Sequence, residues 1–138
     1  MQVIVDTSVW SLALRRNLAP LDAVSQTAIE ALKDLIADAR ALMIPPVRQE
    51  LLSGIKDPAQ FDRLRQVLKA FPDEPLTTED YECAAQFFNQ CKAKGIQGSH
   101  TDFLICSVAV LRELPVFSLD QDFSHFQRCL PVELFSSL

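Results

Sequence analysis

No apolar run in this chain reaches the roughly 20 residues that a bilayer span requires. Its N-terminus has neither the basic stretch nor the small-residue cleavage site of a secretory signal. The expectation is therefore a cytoplasmic protein with no membrane association. Low-complexity sequence is also missing, with only 3 glycines and 8 prolines in 138 residues, so disorder is not expected. Four cysteines, Cys83, Cys91, Cys106 and Cys129, show no CxxC spacing and no accompanying histidine ladder. That pattern argues against a zinc or dithiol centre, and the four read as small buried hydrophobes. Positive charge is short as well: 13 Lys and Arg stand against 18 Asp and Glu, a formal net charge of -5. That balance argues against a broad basic surface for nucleic acid, because such binding needs cations to neutralise phosphates. It does not argue against a site whose positive charge comes from bound metal ions.

What is present is the alternation of an α/β domain. The length fits one domain over 1–138, able to bury roughly two-thirds of its unfolded surface. Val3, Ile4 and Val5 are β-branched and apolar, as in a strand covered on both faces. "TSVWSLALRR" and "LDAVSQTAIEALKDLIADAR" read as a pair of helices, the second with Ala28, Ile29, Leu32, Leu35 and Ile36 on one face. "ALMI" reads as a strand closed by Pro45 and Pro46, and "VRQELLSG" as a short helix ending at Gly54. "PAQFDRLRQVLKAF" follows as a helix opened by Pro58, with Phe61, Leu64, Leu68 and Phe71 assigned to the core. Thr77 and Asp80 have the capping-box spacing for a helix ending at Gly95, and "HTDFLICSVAVLREL" is apolar enough to lie buried. A strand "PVFSL", a helix "DFSHFQRC" and a last strand "VELF" complete the chain. The fold class this implies is α/β, a parallel β-sheet sandwiched between α-helices.

Four acidic residues fall at strand tips or helix starts on this map: Asp6, Glu50, Asp102 and Asp120. In an open α/β sheet those positions gather at the carboxyl edge, where ligands bind. Each also has a plain structural use. Asp6 suits the N-cap of the following helix, Glu50 a solvated position near Arg48, Asp102 a capping box with Ser99, and Asp120 or Asp122 a turn or cap. If the four converge they repel one another unless cations are present. Oxygen-only ligands select Mg²⁺ or Mn²⁺, and no cysteine or histidine cluster favours zinc. Such a cage activates water against a phosphodiester.

The segments "VIVDTSVW", "PPVRQELLSG" and "GIQGSHTDFLICSVAVLRELPVFSLDQDF", in this order and spacing, resemble the PIN-domain family, in particular the VapC-type toxins of bacterial toxin–antitoxin pairs. The resemblance covers nearly the whole chain. It implies a PIN-like metal-dependent endoribonuclease in which Asp6, Glu50 and Asp102 match the core acidic positions. Ser118, Asp120 and Asp122 fit the family's late motif in order; Asp120 is assigned as the fourth ligand, with Asp122 as its alternate or a helix cap. Thr7 and Ser118 would be hydroxyls holding the carboxylates, or strand-end hydroxyls bonded to local backbone. The resemblance further implies an RNA substrate, a homodimer and a VapB-like antitoxin.

Trp10 and Leu14 are candidates for an antitoxin groove or for core, and Arg15, Arg16, Lys92 and Lys94 for contacts to RNA phosphates or for solvated helix ends. His100, two residues before Asp102, is read as structural or substrate-facing because a metal site needs no extra base, and His125 as structural. Two other functions compete. A phosphatase of the haloacid-dehalogenase type needs an aspartate two residues after its nucleophile, where Ser8 stands, and the acidic pair and lysine of a receiver domain are not visible. A silent PIN-like module that binds RNA or protein without cutting would have no reason to bear the repulsion among four carboxylates.

Overall fold

The computed structural model describes residues 1–15 and 20–136. Val3–Val5 form β1, Ala41–Leu42 form β2 and Val116–Phe117 form β3, all parallel and ordered β2-β1-β3. The central strand pairs Ile4 with Leu42 on one side and with Val116 on the other. Successive side chains of a strand point to opposite faces, and Val3, Ile4 and Val5 are all fully buried, so the sheet is covered on both. Among the described residues seven helices supply the cover: α1 (Thr7–Leu14), α2 (Ala23–Ala37), α3 (Pro45–Leu52), α4 (Pro58–Leu68), α5 (Thr78–Ala93), α6 (His100–Leu111) and α7 (Asp122–Phe126). Helix α6 packs on β1, β3 and α5, and α1 packs on α2 and α3.

Short returns feed the strands. Helices α2 and α6 each end in a residue with left-handed backbone, Ala39 and Glu113, both at φ 55°. The next amides, of Arg40 and Leu114, donate back to Leu35 and Ala109 at 2.8 Å each, which turns the chain directly into β2 and β3. All three strands therefore point their carboxyl ends at one edge, and α1, α3 and α7 begin there. The N-terminus of α6 reaches the cleft at the same edge.

Several expectations need correction. "VELF" is not a strand: Leu134 makes a single bridge to Val116, and Glu133 and Leu134 face solvent, so the segment has no second apolar face to bury. Pro45 and Pro46 do not merely close β2; they open α3, where their missing N–H groups would have had no intrahelical partner. Phe61 is 36% exposed, whereas Leu64 and Leu68 of the same helix are buried. Trp10 is fully buried against Phe71, ring centroids 4.8 Å apart, so it belongs to the core and not to an open groove. Cys91 and Cys129 are not isolated hydrophobes but a disulfide, Cα atoms 5.9 Å apart, joining the last turn of α5 to the turn after α7. Their separation of 38 residues carries no local motif. Cys106 is buried and Cys83 half-buried, both as free thiols.

The helix pair α5–α6 is locked at the end away from the cleft. Thr77 and Asp80 form the expected reciprocal capping box, and Asp80 is also gripped by Arg112, Nη1 to Oδ1 at 2.8 Å and Nη2 to Oδ2 at 2.9 Å. Arg112 further donates to the carbonyl of Pro75 at 3.0 Å. The Arg112 guanidinium holds the Asp80 carboxyl below its ordinary value, so this stabilisation is present above pH about 4 and lost as pH falls further. Removing one partner of a buried pair leaves the other uncompensated. Arg112→Leu should cost about 2–3 kcal/mol at neutral pH, short of the full penalty because Arg112 keeps a solvent-facing edge. Denaturant unfolding of the two proteins checks this, and a loss under about 0.5 kcal/mol, the size of an ordinary surface substitution, would contradict it.

Candidate active site

At the carboxyl edge of the sheet lies a cleft of about 610 Å³ lined by Asp6, Glu50, Asp102 and Asp120 together with Thr7, Ser8, Gln49, Ser99 and Thr101. Four carboxylates from four separate segments thus face one space. Asp6 is held most tightly. It follows β1, its amide donates to the carbonyl of Phe117 at 2.8 Å, and its side chain is buried. Glu50 projects from α3, which β2 delivers to the same edge, and accepts from Thr7 Oγ1 at 2.6 Å. Asp102 sits in the first turn of α6, in a reciprocal capping box with Ser99. Asp120 follows β3 in the loop before α7. Gly98 sets the approach to α6: a Cβ there would come within 2.5 Å of the Phe126 ring, so only glycine lets α7 pack against this turn.

Each carboxylate uses one oxygen on the protein. Asp6 Oδ2 accepts from Ser8 Oγ and Ser118 Oγ, both at 2.7 Å, and loosely from the Ser8 amide at 3.4 Å. Asp102 Oδ2 accepts from the Ser99 amide at 3.0 Å, Glu50 Oε1 from Thr7, and Asp120 Oδ1 from the Asp122 amide at 2.9 Å. The second oxygen of each accepts no hydrogen bond among the described residues. Four spare carboxylate oxygens on one cleft are the donor chemistry that a hard divalent ion takes. Among the described residues, however, no three acidic side chains are placed close enough to share one ion. The set fits such an ion in chemistry, and its side chains would have to draw in to enclose it.

The sequence-derived candidates divide clearly. Asp122 does not line the cleft; it begins α7 and its amide caps against Asp120. Ser118 touches Asp6 directly, whereas Thr7 touches Glu50. Ser8, read from sequence only as the residue that excludes a phosphatase, is the missed member, since its hydroxyl lies on Asp6. The signal was the run of two hydroxyls after Asp6, either of which could turn inward. His100 is exposed, stacks on Phe88 with centroids 5.4 Å apart and does not line the cleft; His125 lies in the last turn of α7. Of the basic candidates, Arg15 reaches the carbonyl of Ser53 on the cleft rim at 3.5 Å, Lys92 lies over the Phe88 ring and Lys94 caps α5. Arg16 lies outside the described residues.

A family model described as "PIN domain" matches residues 3–128. The chain belongs to the PIN-domain family. No curated protein matches it in sequence. Among solved structures, this PIN domain is similar to FitAcB from Neisseria gonorrhoeae, at 18% identity and TM-score 0.74 over 99% of this chain and 98% of that one. It is similar also to VapBC2 from Rickettsia felis bound to a DNA fragment from their promoter, at 15% identity and TM-score 0.71 over 98% of each chain. VapBC-5 from Mycobacterium tuberculosis, of a toxin–antitoxin family, aligns at 22% identity and TM-score 0.67 over 97% of each. At these identities the likeness is one of fold.

Charge crowding is felt at Asp102. Burial, and then the negative charges of Asp6 and Asp120, push its pKa from 3.8 up to about 6, against the lowering effect of the Ser99 hydrogen bonds. A carboxyl with a raised folded pKa holds its proton better when folded, so its contribution is present at low pH and lost as pH rises from about 4 through about 6. In metal-free buffer, Asp102→Asn, which carries no charge to bury, should gain in Tm relative to wild type across that interval. Parallel Tm curves over the same interval would count against the raised value.

Proposed function

We propose that this PIN domain is a Mg²⁺- or Mn²⁺-dependent endoribonuclease and the toxin of a VapBC-type toxin–antitoxin pair. The observation that carries the reading is the meeting of Asp6, Glu50, Asp102 and Asp120 on one cleft at the carboxyl edge of the sheet, each with an oxygen to spare. When bound, a divalent ion supplies water activation and stabilisation of the leaving oxygen of a phosphodiester. The chain's own residues do the positioning. Asp6, on the strand end, is the rigid member; Ser8 and Ser118 fix its carboxylate, Thr7 orients Glu50, and Ser99 holds Asp102. Asp120 is the fourth ligand in this reading, since it lines the cleft and Asp122 does not. RNA is the substrate, the protein acts as a homodimer, and a VapB-like antitoxin is the protein partner. Cytoplasmic location belongs to the same reading; among the described residues no helix is long and apolar enough to cross a membrane.

Among the described residues no three acidic side chains are close enough to share one ion, and that favours one competitor, a PIN-like module that binds without cutting. Metal titration separates the two, because a ligand that binds only the folded protein raises its Tm. A silent module should show little response to Mg²⁺ or Mn²⁺. On the enzymatic reading, structured RNA is cut to fragments with 5′-phosphate and 3′-hydroxyl ends, and EDTA stops the reaction. Asp6→Asn and Asp102→Asn should each lose nearly all activity with unchanged circular dichroism, and the double variant should be hardly worse, because ligands of one site act as a unit. Ends bearing 2′,3′-cyclic phosphate, or full cleavage in EDTA, would overturn the mechanism.

A further inference from the structure

Counting protons around Asp6 assigns a role to Ser8. Its hydroxyl and that of Ser118 lie 3.3 Å apart, and each is 2.7 Å from Asp6 Oδ2. A serine hydroxyl has one proton to give. Both protons are directed to Oδ2, so neither serine donates to the other. What remains on each oxygen is acceptor capacity, and consecutive backbone amides take it up: the Leu119 amide donates to Ser8 Oγ at 3.0 Å and the Asp120 amide to Ser118 Oγ at 2.9 Å. Both serines join the start of α1 to that loop: Ser118 reaches from the loop to Asp6, and Ser8, 111 residues from Leu119 in sequence, reaches from α1 to the Leu119 amide.

The geometry points to Ser8 as a positioning residue for Asp120: its hydroxyl clamps the loop after β3 to Asp6, so that the two carboxylates from opposite ends of the chain face the same cleft. This rests on the metal-site reading of that cleft. Ser8 itself needs no contact with substrate or metal. It fixes Leu119, and Leu119 fixes the next residue, Asp120, whose own amide is held by Ser118. Without the Ser8 hydroxyl the Leu119 amide has no partner among the described residues, and Asp6 Oδ2 keeps Ser118 and the long bond to the Ser8 amide.

The test reads metal affinity and loop protection, not turnover. Mn²⁺ titration calorimetry on the full chain should show Ser8→Ala binding about tenfold or more weakly than wild type, in the range for loss of a group that orients a ligand. Ser8→Thr, which keeps the hydroxyl, should stay within about threefold of wild type. If Ser8 acts through Asp120, then Ser8→Ala combined with Asp120→Asn should bind no more weakly than Asp120→Asn alone. Amide exchange should show Leu119 losing protection in Ser8→Ala while the amides of α6 keep theirs, which separates loop release from failure to fold. Ser8→Ala that binds Mn²⁺ as tightly as wild type, or losses that multiply in the double variant, would overturn the inference and leave the metal reading standing. A wild-type chain that takes up no Mn²⁺ would overturn the metal reading and this role together.

Discussion

The amide of Asp6 donates to the carbonyl of Phe117 one residue beyond the last registered pair of β1 and β3, and the geometry of the cleft is referenced to that bond. Three preceding residues, all without solvent exposure and flanked by strands on both edges, leave the backbone at Asp6 no freedom to choose where its side chain starts. A buried parallel strand is the stiffest place a small domain has to mount a functional group, and groups mounted on strands and helices hold their geometry better than those on loops. Glu50 and Asp102 are each mounted on a helix. Asp120 is the exception: it stands in an exposed loop, and so its position depends on added hydrogen bonds.

The parts of this arrangement that were legible in sequence are those set by local chemistry. Val3–Val5 could be read because three β-branched-type apolar residues in a row suit only a strand covered on both sides, and the aspartate after them is then a strand-tip residue. The two capping boxes, Thr77 with Asp80 and Ser99 with Asp102, could be read because donor and acceptor lie three residues apart and both bonds form within one turn. What escaped was whatever depended on the partner across space. Nothing local distinguishes Thr7 from Ser8 as the hydroxyl beside Asp6, because α1 has to be placed against α3 and the loop after β3 before one faces Glu50 and the other Asp6. The same holds for Cys91 and Cys129, and for Trp10, which any amphipathic reading of α1 leaves free to face either way until Phe71 arrives from the end of α4.

For the acidic residues a capping role and a ligand role do not compete. Asp102 completes its capping box through Oδ2 alone, and Asp6 takes both serines and the start of α1 on Oδ2 alone. A carboxylate has two oxygens and about four lone-pair directions, so satisfying a helix start leaves it half unspent. The cap also orients the remainder, since fixing one oxygen on a backbone amide or a hydroxyl fixes the direction of the other.

Asp6 and Asp102 are supported in different ways. Asp6 is the more deeply buried of the two and is met by two hydroxyl donors at 2.7 Å. Asp102 has backbone support from Ser99, while burial and the charges of Asp6 and Asp120 act against it. The repulsion is thus carried by a helix-mounted neighbour of the group that the sheet fixes. On the proposed function, Asp102 would have to give up its proton to hold an ion, because ligation requires the deprotonated form. The serines on Asp6 fix the carboxylate at the strand tip, and the burial of Asp102 beside it makes the neighbouring charge conditional on pH.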